Sequence, residues 1–102
     1  MNYSKEKTEA AKILLAQIIE VNERLEKAGS EKEIQFELNG GKFPELIVRF
    51  WDWEGNNNPQ ETFEISLERY LIKDGRRHSL LDLAEKVKDW GERFGNSERK
   101  GY

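Results

Sequence analysis

The segment IVRFWDWEGNNNPQETFEISL (residues 47–67) decides the fold of this chain, because it contains two predicted strands and the loop that joins them. The first strand, which we predict from Glu45 to Trp53, carries apolar side chains on both of its faces. The loop GNNNPQ consists of residues that favour turns. The second strand, TFEISL, alternates regularly between polar and apolar residues. The segment therefore predicts two adjacent antiparallel strands, and the second apolar face of the first one requires an explanation.

A third predicted strand lies before this segment. The sequence EIQFEL alternates Ile34, Phe36 and Leu38 with polar residues, which is the pattern of a strand that has one buried face. Asn39 and Gly40 begin a turn into the next strand, because both residues tolerate a positive φ. The three strands are therefore expected to form an antiparallel meander.

Two predicted helices flank the strands. The first runs from Ser4, a plausible N-cap, to about Ala28, and Gly29 stands where a C-cap glycine is expected. The second follows Ser79 and is closed by Gly95. Apolar residues recur in both segments at steps of three and four, which indicates one buried face on each helix. Those residues are Ala11, Leu14, Ile18, Val21 and Leu25, and then Leu80, Leu83, Ala84, Val87, Trp90 and Phe94.

The element order α-β-β-β-α predicts an α+β fold with two layers, in which a three-stranded antiparallel meander packs against two helices. At 102 residues the chain forms one domain, residues 1–102, with a folded core over about 4–95 and a polar tail over 96–102. The stretch ERYLIKDGRRH fits either an extension of the third strand or one helical turn. The predicted sheet core consists of Ile34, Phe36, Leu38, Val48, Phe50, Phe63, Ile65 and Leu67.

Composition limits the classes of function. The chain has no cysteine, so it has no thiolate nucleophile and no cysteine-based zinc site. It has no apolar run of the roughly 20 residues that span a bilayer and no apolar signal region, so we expect a soluble, cytoplasmic protein. Residues 31–64 carry eight acidic and three basic side chains, a balance opposite to that of a nucleic-acid binder.

The second apolar face of the middle strand carries Ile47, Trp51 and Trp53, with Arg49 among them. Aromatic residues are most often buried, and a helix or the segment at residues 70–72 would then cover this face. The alternative is an exposed patch of Trp and Arg, the residues favoured at the centres of protein interfaces. We predict a partner-binding surface here, rimmed by the carboxylates of Glu37, Asp52, Glu54, Glu61 and Glu64.

Catalytic and metal chemistry find little support in the sequence. DWEGNNNPQETF spaces oxygen ligands as a calcium loop does, but Asn57 and Phe63 stand where the EF-hand requires Gly and Glu. His78 is the only histidine, and no nucleophile and base are positioned together by a motif. We therefore predict a protein that is not an enzyme, with no cofactor and no metal site.

A basic cluster, Lys73, Arg76 and Arg77, lies just before the second helix, whose opening reads RRHSLLDLAEKVKDW. With the order α-β-β-β-α, this cluster resembles the double-stranded-RNA-binding domain, whose second helix opens with a segment that grips phosphates. The resemblance implies RNA binding through these three residues together with Lys86 and Lys88. Asp82 and Glu85, in the first turns, depart from that lysine-rich pattern.

As a whole, this short, acidic, cysteine-free α/β chain with no catalytic signature resembles the accessory proteins of phages and plasmids, including the anti-CRISPR inhibitors of type II effector nucleases. The resemblance implies stoichiometric inhibition, in which an acidic surface occupies the basic groove that the enzyme keeps for guide RNA or target DNA. The rim carboxylates would replace phosphates, and Trp51 and Trp53 would anchor the contact.

The leading hypothesis is therefore a protein-binding inhibitor of a larger basic protein, a CRISPR effector nuclease in its most concrete form, with no membrane and no direct nucleic-acid contact. The first alternative is a small RNA-binding domain that uses Arg76 and Arg77. The second is a structural subunit that self-associates through its helix seams. We expect a monomer or a weak homodimer.

Overall fold

Two helices and three strands follow one another in the predicted order α-β-β-β-α. The computed structural model describes residues 4–42, 44–54, 59–67 and 80–95. The elements are α1 (Lys5–Lys27), β1 (Lys32–Asn39), β2 (Glu45–Asp52), β3 (Glu61–Ser66) and α2 (Leu80–Phe94). The α+β class is confirmed. The segment at 68–79, with its alternative structures, its basic cluster and the Ser79 cap, lies outside the described residues, as does the tail at 96–102.

The sheet is an antiparallel meander of order β1-β2-β3, so β2 is its central strand. Phe50 of β2 lies opposite Ile34 of β1 and Glu61 of β3. Trp51, the next residue, lies opposite Glu33. Because successive side chains of a strand point to opposite faces, this register assigns every strand residue to the helix side or to the outer side of the sheet.

Both ends of α1 are capped by the residues that the sequence indicates. Ser4 Oγ accepts a hydrogen bond from a first-turn backbone N–H at 3.2 Å. At the other end Gly29 adopts a φ of 68°, and its N–H donates to the Glu26 carbonyl. The N–H of Ser30 donates to the Leu25 carbonyl, which completes a Schellman motif. The turn into β1 is thereby fixed by local hydrogen bonds.

The hydrophobic core lies between the sheet and both helices. Phe50 is fully buried at its centre and makes edge-to-face contacts with Phe63 and Trp90, with ring centroids 5.7 and 5.1 Å apart. Both helices therefore lie on one face of the sheet, as predicted. The core comprises Ala11, Leu14, Ile18, Val21, Leu25, Ile34, Leu46, Val48, Phe50, Phe63, Ile65, Leu67, Leu83, Val87 and Trp90.

Two residues predicted to be in the core are not buried. Phe36 and Leu38 lie opposite Val48 and Leu46, so they are on the helix side, but they are 41% and 54% exposed. The reason is their place on an edge strand, where the core ends at Ile34. Alternation predicts the face of a strand, and it does not predict how far the helices extend over that face.

The two helices approach each other closely at a glycine. A Cβ on Gly91 would lie 3.1 Å from Val21 Cγ2, so the absence of a side chain permits this contact. Arg24 Nη2 donates a hydrogen bond to the Gly91 carbonyl at 3.0 Å. Neither of the described helices combines the length and the apolar character needed to cross a bilayer.

Candidate functional site

The outer face of the sheet, on the side away from the helices, contains the predicted partner-binding residues at its centre. Arg49 and Trp51 of β2 point to this face, since they alternate with the buried Val48 and Phe50. Ile47 shares the face and is only 8% exposed. We call the set Ile47, Arg49, Trp51 and Trp53, with the adjoining residues Glu33, Glu37 and Glu64, the outer-face patch.

The two indoles of the patch are stacked. The rings of Trp51 and Trp53 are 4.7 Å apart between centroids and inclined by only 4°. Trp53 Nε1 donates to Glu33 Oε1 at 2.9 Å, and the Trp53 backbone N–H donates to the Glu31 carbonyl at 2.9 Å. These contacts hold the pair in one orientation, although Trp53 is 45% exposed.

Trp51 is the less exposed member of the pair. Its Nε1 is buried and has no hydrogen-bond acceptor among the described residues. An unpaired buried N–H is uncommon, because it has lost its water without gaining a protein partner. Trp53 therefore presents the more exposed surface of the pair.

Arg49 lies next to this aromatic pair and is held by a carboxylate. Its Nη1 is 3.3 Å from Glu37 Oε1, and both side chains are partly exposed. Glu37 and Glu64 lie opposite Ile47 on the two neighbouring strands. The apolar centre of the patch is thus bordered by acidic side chains on both sides.

Two of the predicted rim carboxylates lie on the helix side instead. Asp52 is paired with Lys32 at 3.2 Å, and Glu61 with Lys86 at 2.8 Å. The register explains both positions, since Asp52 is one residue beyond Trp51 and Glu61 lies opposite the core residue Phe50. Glu54 is exposed in the turn after β2.

Asp52 has an electrostatic environment of its own. The backbone N–H of Glu54 donates to its Oδ1 at 3.1 Å and, together with the Lys32 ammonium, lowers the pKa of this carboxyl below its ordinary value. The carboxylate stabilises the turn that positions Trp53. Its role in the patch is therefore structural support from the other face.

Glu33 belongs to the patch although the sequence did not single it out. It accepts hydrogen bonds from Trp53 Nε1 and from Gln35 Nε2, both at 2.9 Å. The register of the hairpin identifies it, because the pairing of Asn39 with Glu45 also places Glu33 opposite Trp51. Counting register from the turn would have identified it.

The alternative basic site is only partly within the described residues. Lys73, Arg76 and Arg77 lie outside them. Lys86 forms an ion pair with Glu61, and its Nζ lies 5.1 Å from the ring centroid of Phe50. It therefore packs at the edge of the hydrophobic core. Lys88 is exposed on α2.

The described ranges contain no cluster of metal-ligating side chains. Within residues 4–42, 44–54, 59–67 and 80–95, no group of three or more His, Asp or Glu side chains is arranged to hold a metal ion. In comparisons with known proteins, no family model, curated protein or solved structure matches the chain. The arrangement of the patch is therefore the basis for any functional conclusion.

Proposed function

We propose that this chain is a non-catalytic protein-binding module, an inhibitor that obstructs nucleic-acid loading by a larger basic enzyme. In this proposal the contact surface is the outer-face patch. The observation that carries the proposal is the parallel stack of Trp51 on Trp53, a large aromatic surface at the edge of a sheet face that no described helix covers.

The stacked pair has the properties of an interface anchor. Tryptophan buries a large area on binding and is enriched among residues whose truncation costs about 2 kcal/mol or more of binding energy. Because Glu33 and the stacking contact already fix Trp53, little side-chain freedom remains to be lost on association.

The charges of the patch favour a basic partner. Glu33, Glu37 and Glu64 border the indoles and Ile47 on the outer face. Residues 31–64 as a whole carry three basic against eight acidic side chains. Such a surface attracts a groove lined with Lys and Arg, and complementary potentials accelerate association at low salt.

A groove of this kind is found in enzymes that hold RNA or DNA, where basic side chains contact phosphates. Carboxylates that occupy the groove would exclude the nucleic acid. Our most concrete candidate is a type II CRISPR effector nuclease, and the chain would then act in a bacterial cell as a phage or mobile-element accessory protein. The support for this choice is the acidic patch and the whole-chain resemblance to anti-CRISPR inhibitors.

The test is an in vitro cleavage assay with a purified type II effector nuclease, guide RNA and target DNA. The chain is added before or after the guide, and three proteins are compared: wild type, Trp51→Ala/Trp53→Ala, and Leu81→Ala as a control at an exposed apolar residue on α2. We expect stoichiometric inhibition that is strongest before guide loading. The double variant should bind at least about a hundredfold more weakly, since each anchor contributes about 2 kcal/mol.

Circular dichroism must first show that the double variant is folded. Equal inhibition by the double variant and wild type would remove the outer-face patch from the mechanism. If the chain binds the nuclease neither with nor without guide RNA, the nuclease is excluded as its partner. If the wild-type chain captures RNA and the Arg76→Ala/Arg77→Ala variant does not, the result would favour the RNA-binding alternative.

A further inference from the structure

We propose that the free edge of β1 at Phe36 and Leu38 is a docking site for an extended segment of a partner protein, in which apolar side chains alternate with basic ones. This site uses edge-facing backbone groups and helix-side side chains that the outer-face patch does not use, and it shares only the carboxylates of Glu33 and Glu37 with that patch. Either site can therefore fail experimentally without the other.

The direction of the β1 backbone groups follows from the register. The N–H of Trp53 donates to the carbonyl of Glu31, so odd-numbered residues of β1 bond to β2. In an antiparallel pair the backbone groups of successive residues point alternately to the two sides of a strand. The N–H and C=O of Phe36 and Leu38 consequently point away from β2, to the edge of the sheet.

At Ile34 this edge is already closed by a side chain. Asn22 Oδ1 accepts from the Ile34 N–H at 2.9 Å, and Asn22 Nδ2 donates to the Ile34 carbonyl at 2.8 Å. The side-chain amide of Asn22 thus makes the two hydrogen bonds that a neighbouring strand would make to Ile34. Among the described residues, no such contact is made to the edge-facing groups of Phe36 or Leu38.

The apolar side chains at the same two positions are also left exposed. Phe36 and Leu38 are 41% and 54% exposed on the helix side, and Ile19, one helical turn before Asn22 on the same flank of α1, is 51% exposed. An edge with free backbone groups and large apolar side chains is a template for strand addition. The added strand would place its apolar residues beside Phe36 and Leu38.

The other face of the added strand would meet acidic residues. The outer-side residues of β1 are Glu33, Gln35 and Glu37, and directly opposed residues of unlike charge stabilise paired strands. These charges select Lys or Arg at the alternate positions of the ligand.

A second copy of this chain is disfavoured as the ligand of the β1 edge. A symmetric antiparallel pair that used the free groups of both Phe36 and Leu38 would place Phe36 opposite Leu38 of the other copy. The residue between them, Glu37, would then face its own equivalent, and like charges directly opposite each other destabilise a strand pair. The ligand is therefore a different chain with basic residues at these positions.

The test uses the full chain and a capped synthetic peptide of about eight residues, a common strand length, that alternates Val with Lys. NMR would follow amide hydrogen exchange at Phe36 and Leu38 during titration. We expect both amides to become protected on peptide binding. A peptide with Glu in place of Lys should bind about tenfold more weakly or not at all, because like charges would then oppose each other.

A matched pair of variants at Leu38 separates the contribution of its backbone N–H to peptide binding from the contribution of its side chain. Leu38→Ala keeps the edge-facing N–H, whereas Leu38→Pro removes it and leaves the bonds between β1 and β2 intact. We expect Leu38→Pro to bind up to about tenfold more weakly than Leu38→Ala, the effect of one lost backbone hydrogen bond. The Trp51→Ala/Trp53→Ala variant should still show peptide-dependent protection of the Phe36 and Leu38 amides, because it leaves the edge-facing backbone groups and Glu37 in place.

Four results would overturn the proposal. Two concern affinity: the Leu38→Pro and Leu38→Ala variants bind the Lys peptide equally well, or the chain binds the Glu and Lys peptides equally well. Two concern NMR: the peptide shifts only the indole N–H signals, or the Phe36 amide is protected from exchange without peptide. If that last protection rose with protein concentration, the occupant would be a second copy instead.

Discussion

Asn22 binds both backbone groups of Ile34, accepting from its N–H at 2.9 Å and donating to its carbonyl at 2.8 Å. A single side chain of α1 thereby completes the hydrogen bonding of an edge strand at the point where the core ends. This contact links the helix layer to β1 across 12 residues of sequence. It also limits the free edge of the sheet to the residues beyond Ile34.

Replacement of Asn22 by Ala is expected to destabilise the fold by about 1–3 kcal/mol, because it leaves the partly buried N–H and C=O of Ile34 without partners. Urea unfolding measures this effect. Asn22→Asp is the matched variant, since its ionised carboxylate at neutral pH keeps the acceptor for the Ile34 N–H and loses the donor to the Ile34 carbonyl, so its stability should be intermediate. Wild-type stability of Asn22→Ala would contradict the role assigned to this contact.

Phe50 and Leu38 lie on the same face of the sheet, but we expect very different costs of truncation. Phe50→Ala should lose about 3–5 kcal/mol, because it leaves a cavity between Phe63 and Trp90. Leu38→Ala should change stability by less than about 0.5 kcal/mol, as surface substitutions usually do. Thermal unfolding of both variants measures the difference. Similar costs would show that the core extends further along β1.

Gly95→Ala is expected to destabilise the protein by about 1–3 kcal/mol. An added Cβ would lie 2.8 Å from the Gly91 carbonyl oxygen, and this backbone atom can move only with its helix. Gly91→Ala is the comparison. Its Cβ would lie 3.1 Å from Val21 Cγ2 and 3.3 Å from Arg24 Nη1, which are tight contacts with side chains and not with backbone, and the substitution gains about 1 kcal/mol of helix propensity. Chemical denaturation should therefore rank Gly95→Ala as the less stable variant, and the reverse order would contradict this packing.

Asp52 should make stability depend on pH in the acidic range. Its pKa is lowered in the folded state by the Glu54 N–H and by Lys32, so the unfolded chain takes up the proton more readily. The stabilisation is present above the unfolded pKa of about 3.9 and is lost as the pH falls through the lower folded pKa. Asp52→Asn should therefore be less stable than wild type at neutral pH.

Denaturant unfolding at a series of pH values measures the gap between wild type and Asp52→Asn, which should narrow below about pH 4. Glu54→Gln serves as the control, because it removes the same charge from an exposed neighbour. A gap that stays constant down to acid pH would assign the effect of Asp52 to something other than its charge.

The outer-face patch was predictable in part. Trp51, Arg49 and Glu37 were correctly placed together, because alternation along β2 and the position of the turn are local properties. The prediction for Asp52 and Glu61 is wrong, because strand alternation places both carboxylates on the helix side despite their nearness in sequence to the outer-face patch. Glu33 was missed because its contact with Trp53 joins residues 20 positions apart.

Local sequence patterns are sufficient to predict the elements, their order and the caps of α1. Helical spacing in α1, strand alternation in β1 and β3, and residues such as Ser4 and Gly29 act over a few positions, so they can be read without the fold. Tertiary structure alone decided which apolar residues are covered. Phe36 and Leu38 follow the same pattern as Ile34, yet they remain exposed, because burial depends on how far α1 extends over an edge strand. That extent is set by packing between distant segments, and local periodicity does not record it.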